Sequence, residues 1–296
     1  MSLAPLSYVG PYRLLNLVAS GHACQIWQAA DDATQRIVCI KAMQDKFCKD
    51  REQTGYLRQE YIVGQTVRHQ RIIEVYRFDV DRGRAYLSME WFPAPNLKNV
   101  IRQGAEKIAH LMPKIIEQSA EALAHFHQKG WVHRDIKPEN FLVSQQGEVK
   151  MIDFALAVKA RRGIARWFAT KAKIQGTRSY MAPEQIRGEA VDQRADIYSY
   201  GCTVYHLVAG RPPFTATSSN ELLRKHLKAL PPSLESVNDN VTQEFAQLVL
   251  WTLGKTPRER PQSLDEFLRE FRAMRMFRVT PRPPAEPASG LPRNPE

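Results

Sequence analysis

A chain of 296 residues with 43% hydrophobic content can bury a substantial core and falls between one large domain and two ordinary ones. Its formal net charge of +11 raises nucleic acid as a partner, yet seven basic residues and no acidic one stand between Ala155 and Pro183, so the excess is mostly local and no nucleic-acid binding is expected. The longest uncharged run in the middle of the chain, Ile197 to Gly210, has 14 residues and contains His206; too short and polar to span a bilayer, it reads as a buried helix. The start, Met1 to Pro5, lacks the basic residues and apolar stretch of a secretory signal, and Cys24, Cys39, Cys48 and Cys202 form no C-x-x-C pair. Reduced thiols, a cytoplasmic location and no membrane segment within this chain are therefore expected. His125 and His127, two apart, point to different faces of a helix and imply no metal site.

From Tyr12 to Met43 the pattern predicts three short strands, Tyr12 to Val18, Ala23 to Ala30 and Arg36 to Met43, with Asp31-Asp32 at a hairpin turn. Between the first two lies Ala19-Ser20-Gly21-His22-Ala23-Cys24, a small-residue turn whose N–H groups can lie over phosphates. The third strand ends in Val38-Cys39-Ile40-Lys41, which puts an ammonium where solvent should be scarce. A helix over Arg51 to Arg68 carries Leu57, Tyr61 and Gly64 at helical spacing, with Glu60 able to neutralise Lys41. Strands over Ile73 to Asp79 and Ala85 to Glu90 complete a small antiparallel sheet, and Trp91-Phe92-Pro93-Ala94-Pro95 is a stiff connector marking a lobe boundary.

Leu111, Ile115, Ala122, Leu123 and Phe126 then recur at helical intervals, and Gly130 closes that helix at C′. It leads into His133-Arg134-Asp135-Ile136-Lys137-Pro138-Glu139-Asn140, where a proton acceptor, a phosphate clamp and a metal ligand fit within six positions. Phe141 to Val143 and Val149 to Ile152 read as a hairpin around Gln146-Gly147 that sets Asp153-Phe154-Ala155 opposite, so Asp135 and Asp153 face one cleft. The remainder reads as helices over Arg194 to Gly210, Ser219 to Lys228, Thr242 to Leu253 and Leu264 to Arg275. Six prolines between Pro281 and Pro295 read as an extended linker.

A glycine-rich-like loop, V-C-I-K at 38–41, Glu60 in a helix, H-R-D-I-K-P-E-N at 133–140, D-F-A at 153–155 and A-P-E at 182–184, in this order, resemble the protein kinase family over positions 12 to 274. The type is the eukaryotic-like serine/threonine one, and the compact joins look like a bacterial member. The resemblance implies an α+β, two-lobed kinase fold: an extension at 1–11, an N-lobe at 12–92 with a small antiparallel sheet and one helix, a mainly helical C-lobe at 93–276, and a proline-rich tail at 277–296. It implies ATP as donor, with magnesium, or alternatively manganese, as cofactor. Lys41 would hold the α- and β-phosphates while Glu60 fixes it; Asn140 and Asp153 would hold the metal; Asp135 would accept the substrate proton; Lys137 would steady the γ-phosphate. Ile26, Cys39 and Leu142 would sandwich the adenine, with Glu90 and Phe92 as backbone hinge and Gly21 over the phosphates. Met89 reads equally as the back of that pocket and as core. Lys137, two after Asp135, and the segment Gly176 to Tyr180 look like serine/threonine kinases, so proteins bearing those hydroxyls are the implied substrates. Asp196 resembles the family's anchor of the catalytic loop, and Glu184 with Arg260 its buried ion pair.

Departures lie around this centre. Ala19 and Cys24 stand where the family has glycines and would be strained if φ were positive there. Ala155 replaces the glycine of D-F-G. Gly64 replaces a large apolar residue that packs behind Phe154, so the Lys41–Glu60 pair is expected to be marginally held and to need a partner or phosphorylation. Thr170, the one Ser/Thr hydroxyl between Phe154 and Gln175, is the preferred phosphorylation site, with Arg134 as its phosphate partner and Thr177 lining the substrate groove. The basic cluster has three readings: it orders around a phosphate, binds an acidic partner, or is a solvated loop. An active serine/threonine kinase leads; a pseudokinase-like nucleotide-binding scaffold is the alternative.

Overall fold

The computed structural model describes residues 8–160 and 176–283. Its N-terminal part is one antiparallel sheet of β1 (Tyr8–Val9), β2 (Tyr12–Ser20), β3 (Cys24–Asp31), β4 (Ile37–Met43), β5 (Val75–Asp81) and β6 (Arg84–Glu90), ordered β1-β2-β3-β4-β6-β5. Alternation along β4 decides what faces what: Val38, Ile40 and Ala42 join Val9, Tyr12 and Tyr86 in a small outer core, so Cys39, Lys41 and Met43 point to the other face. Helix α1 (Arg51–Thr66) begins where the Asp50 carboxylate accepts the N–H groups of Glu52 and Gln53, and it buries Leu57, Glu60, Val63 and Gly64.

Two expectations are corrected here. Residues 8 and 9 are a sheet strand and not part of a loose extension, because Val9 is buried in the outer core. Gly64 is not a hole behind Phe154. A Cβ at Gly64 would stand 2.5 Å from Val75 Cγ2, so glycine is what lets α1 lie directly on β5. The Gln65 amide donates to Val75 O at 2.6 Å and fastens the same contact.

The C-terminal part holds α2 (Leu97–Arg102), α3 (Met112–Gln128), the short strands β7 (Trp131–Val132), β8 (Phe141–Val143), β9 (Val149–Met151) and β10 (Val158–Lys159), and then α4 (Pro183–Arg187), α5 (Gln193–Ala209), α6 (Ser219–Lys228), α7 (Leu234–Val237), α8 (Gln243–Thr252) and α9 (Leu264–Arg272). β8 pairs with β9 and β7 with β10, both antiparallel. Helix α5 is buried continuously from Ala195 to Val208 and forms the axis of this lobe; Gly130 after α3 and Gly210 after α5 both take the positive φ that ends a helix. The two parts share one core, and Ile73 N–H donates to Met151 O at 3.0 Å across the junction.

Phe277 does not belong to a loose tail. It is buried, bridges to Val241, and is followed by hydrogen bonds from Arg278 and Val279 to Asn240. Among the described residues no helix is long and apolar enough to cross a membrane.

Candidate active site

A cleft of about 690 Å³ opens between the two parts. Gly21, Ile26, Cys39, Lys41, Glu60, Glu90, Phe92, Lys137, Asn140, Leu142 and Asp153 all line it, with Met89 at its wall. Ile26, Cys39 and Leu142 come from β3, β4 and β8, so a flat apolar body fits between the lobes. Glu90 N–H donates to Glu74 O at 2.8 Å and Phe92 O accepts from Ala94 N–H at 2.8 Å, so the backbone of the connector is held along the cleft.

At the inner end, Lys41 Nζ meets Glu60 Oε2 at 2.6 Å and Asp153 Oδ1 at 3.3 Å. Burial disfavours the Lys41 ammonium, but the carboxylates of Asp153 and Glu60 outweigh it and raise the pKa. Burial likewise opposes the charged form of Asp153, yet Lys41, then His133 and Lys137, hold its carboxyl below the ordinary range. Glu60 goes the other way: burial raises its pKa more than Lys41 lowers it. The result is a formed triad, its Lys41–Glu60 pair largely removed from solvent and its cation kept charged.

The loop before β8 is suspended from α5. Asp196 accepts the N–H of His133 at 2.7 Å, the N–H of Arg134 at 2.8 Å and His127 Nε2 at 2.9 Å. Arg134 and Asp153 both sit at φ 67°, where a non-glycine residue is strained by roughly 1–2 kcal/mol. Strain thus lies in the two acid-bearing loops. Ala19 and Cys24, which would be strained at positive φ, do not have it, and neither does Ala155. Gly176 does require glycine: its φ is 115°, and a Cβ there would stand 3.0 Å from Arg134 O.

Asp135 is held by both oxygens. Oδ1 accepts Thr177 N–H at 2.8 Å, Oδ2 accepts Lys137 Nζ at 2.5 Å, and the same Nζ donates to Thr177 Oγ1 at 2.8 Å. Asn140 Nδ2 donates to Asp135 O at 2.8 Å, so its Oδ1 remains as the amide acceptor. Asn140 and Asp153 therefore offer two oxygens toward one part of the cleft. An amide and a carboxylate oxygen match the oxygen preference of a hard cation, whose remaining shell phosphate and water would complete; among the described residues no group of three or more His, Cys, Asp or Glu able to hold a metal exists.

Arg134 Nε donates to Leu156 O at 2.7 Å, which ties this arginine to the segment that leaves Asp153. Thr170 lies outside the described residues. Burial pushes the Cys24 thiol up to about 11 and the Cys39 thiol up to about 12, so both are unreactive apolar lining. Val18, Ala94 and Ile152 also line the cleft and were not singled out from sequence. Val18 carried no signal because it is an exposed strand residue, 52% accessible, that the cleft meets from above.

A model of the protein kinase domain matches residues 12–271. The chain belongs to the protein kinase domain family. The kinase domain is 33% identical over 287 residues to the serine/threonine-protein kinase PknA of Mycobacterium tuberculosis, covering 95% of this chain and 65% of that protein. It is 29% identical over 257 residues to the serine/threonine-protein kinase PrkC of Bacillus subtilis, and 30% identical over 261 residues to a probable serine/threonine-protein kinase of Streptomyces coelicolor; each match covers 87% of this chain and 39% of the relative. The chain thus spans about two fifths to two thirds of these relatives' lengths.

Proposed function

We propose that this kinase domain transfers the γ-phosphoryl group of ATP to serine or threonine hydroxyls of protein substrates. The carrying observation is Asp135, whose two oxygens are fixed by Thr177 N–H and Lys137 Nζ while its remaining lone pairs can take an incoming hydroxyl. In this reading the substrate oxygen attacks the γ-phosphorus, the bond to the β,γ-bridging oxygen breaks, ADP leaves, and the hydroxyl proton passes to Asp135. Lys41, oriented by Glu60, binds the α- and β-phosphates; Lys137 lies where it can neutralise the group in transit. Ile26, Cys39 and Leu142 enclose the adenine, with Glu90 O and Phe92 N–H along its edge and Gly21 over the phosphates. Asn140 and Asp153 would hold magnesium, or manganese, which when bound supplies positive charge to the phosphate oxygens.

The pairing of Lys137 with Thr177 supports a serine/threonine acceptor, as do the names of the relatives. The four free cysteines among the described residues and the need for ATP support a cytoplasmic setting. Arg134 remains the group we assign to a phosphate on Thr170. Nothing in the geometry favours a scaffold without transfer, since the departures that suggested one carry no backbone strain.

The test is phosphate transfer from labelled Mg-ATP to a generic protein substrate, with Asp135→Asn and Lys41→Met in parallel. Loss of at least about 10²-fold in each variant is expected. Transfer that persists in both, or nucleotide binding without transfer by the parent protein, would refute the reading. Mass spectrometry of the same reactions should find phosphate on Thr170 in the parent and not in Asp135→Asn; none on residues 154–177 would remove the regulatory part.

A further inference from the structure

A substrate's acceptor hydroxyl must come to Asp135, and the backbone beside that point runs Thr177-Arg178. Arg178 is exposed. Its Nη1 donates to Ser219 Oγ at 2.5 Å in the first turn of α6, and no carboxylate lies within ion-pair distance of it among the described residues. The guanidinium is therefore fixed in direction, solvated, and without a countercharge next to the acceptor position.

The carboxylates of the catalytic centre each face a cation. Glu60 and Asp153 face Lys41, and Asp135 faces Lys137. Glu139 at the cleft wall is paired with Lys98 at 2.6 Å. Lys98 and Lys137 are matched by Glu139 and Asp135 in the same way, so the uncompensated positive charge beside the acceptor position is that of Arg178. Such a field attracts carboxylates and repels ammonium groups.

Resting on the phosphotransfer reading, we infer that the substrates carry aspartate or glutamate side chains beside the acceptor serine or threonine, and that Arg178 is a specificity-determining residue. The pairing lies at the rim. It acts through KM and weakens with salt.

The test uses the full chain and three peptides that differ only in the residues flanking the acceptor, which are glutamate, alanine or lysine. At low salt the parent protein should show a KM for the glutamate peptide about fivefold or more below that for the lysine peptide, with similar kcat and a gap that narrows as salt rises. Arg178→Ala should erase most of the gap, Arg178→Glu should invert it, and Arg178→Lys should retain it. Equal KM for glutamate and lysine peptides, with the alanine peptide still phosphorylated, would overturn this inference alone. So would a glutamate preference unchanged in both Arg178→Ala and Arg178→Glu. If the parent protein phosphorylates neither itself nor any peptide, the phosphotransfer reading fails and takes this inference with it.

Discussion

At the scale of single residues, Gly64 governs the ion pair that the cleft depends on. Glu60 precedes it by one helical turn on α1, and the helix reaches Lys41 at 2.6 Å because the backbone at Gly64 lies against the Val75 side chain. Glycine ordinarily costs a helix about 1 kcal/mol relative to alanine, so Gly64→Ala on an open helix would stabilise. Here the added methyl would be 2.5 Å from Val75 Cγ2, well inside contact distance. Overpacking of that kind costs about 1–3 kcal/mol, so the net effect expected is destabilisation of up to about 2 kcal/mol. Displacement of α1 should also lengthen the Lys41–Glu60 contact and lower kcat. Urea midpoints and kinase rates of Gly64→Ala, Val75→Ala and the double variant would check both. Recovery in the double variant relative to Gly64→Ala is expected; a Gly64→Ala protein as stable and active as the parent would show that the contact yields freely.

Among the elements, a buried guanidinium joins the end of the chain to the segment that follows the catalytic loop. Arg260 is fully buried and donates to Glu184 Oε1 at 2.7 Å and Oε2 at 2.9 Å, to Gly254 O and to Arg194 O. Removing one partner strands the other charge away from water. Arg260→Ala should cost about 3–5 kcal/mol in urea unfolding, and Glu184→Gln should also destabilise, by a smaller amount because one neutral acceptor remains. Indistinguishable midpoints for Arg260→Ala and the parent would contradict the burial. This pair was legible through the family resemblance, and α6 and α5, the latter stopped at Gly210, through the helical pattern. Less legible were β1, α2 and α7, which have two, six and four residues and are too short for any period to show. The cleft residues could be named, the apolar Ile26, Cys39 and Leu142 included, because the ordered motifs resemble the protein kinase family and carry those positions with them. Val18, Ala94 and Ile152 stand in no such motif position, and an apolar residue without one lines a cleft only through how the lobes meet. The role of Gly64 was misread for the same reason, since its neighbour Val75 is distant in local pattern and close only in the fold.

For the molecule as a whole, two buried histidines make the larger lobe sensitive to acid. His206 on α5 bonds to Tyr180 Oη at 2.7 Å, and His226 on α6 bonds to Tyr198 Oη at 3.0 Å beneath Phe214 and Lys255. Burial pushes both down to about 4; Lys255 adds to this for His226, while Glu139 partly opposes it for His206. An unfolded histidine titrates near 6.5, so the unfolded chain binds protons over a range where the folded one does not. Their contribution is present in full above about pH 6.5 and is lost as the pH falls toward 4, with the folded state losing roughly 2 kcal/mol per histidine by pH 5. Urea midpoints measured from neutral pH to pH 5 should therefore fall steeply. His206→Gln and His226→Gln should each flatten the profile, even if each lowers the neutral-pH midpoint. Both side chains sit on helices of the C-terminal lobe, so hydrogen-exchange protection, relative to the intrinsic rate at each pH, should fall at pH 5 first in α5 and α6 and later in β3 and β4. A midpoint unchanged between pH 7 and 5 would refute the histidine coupling, and protection lost first in the N-terminal sheet would mean that acid acts on the Lys41, Glu60 and Asp153 cluster before it reaches the histidines.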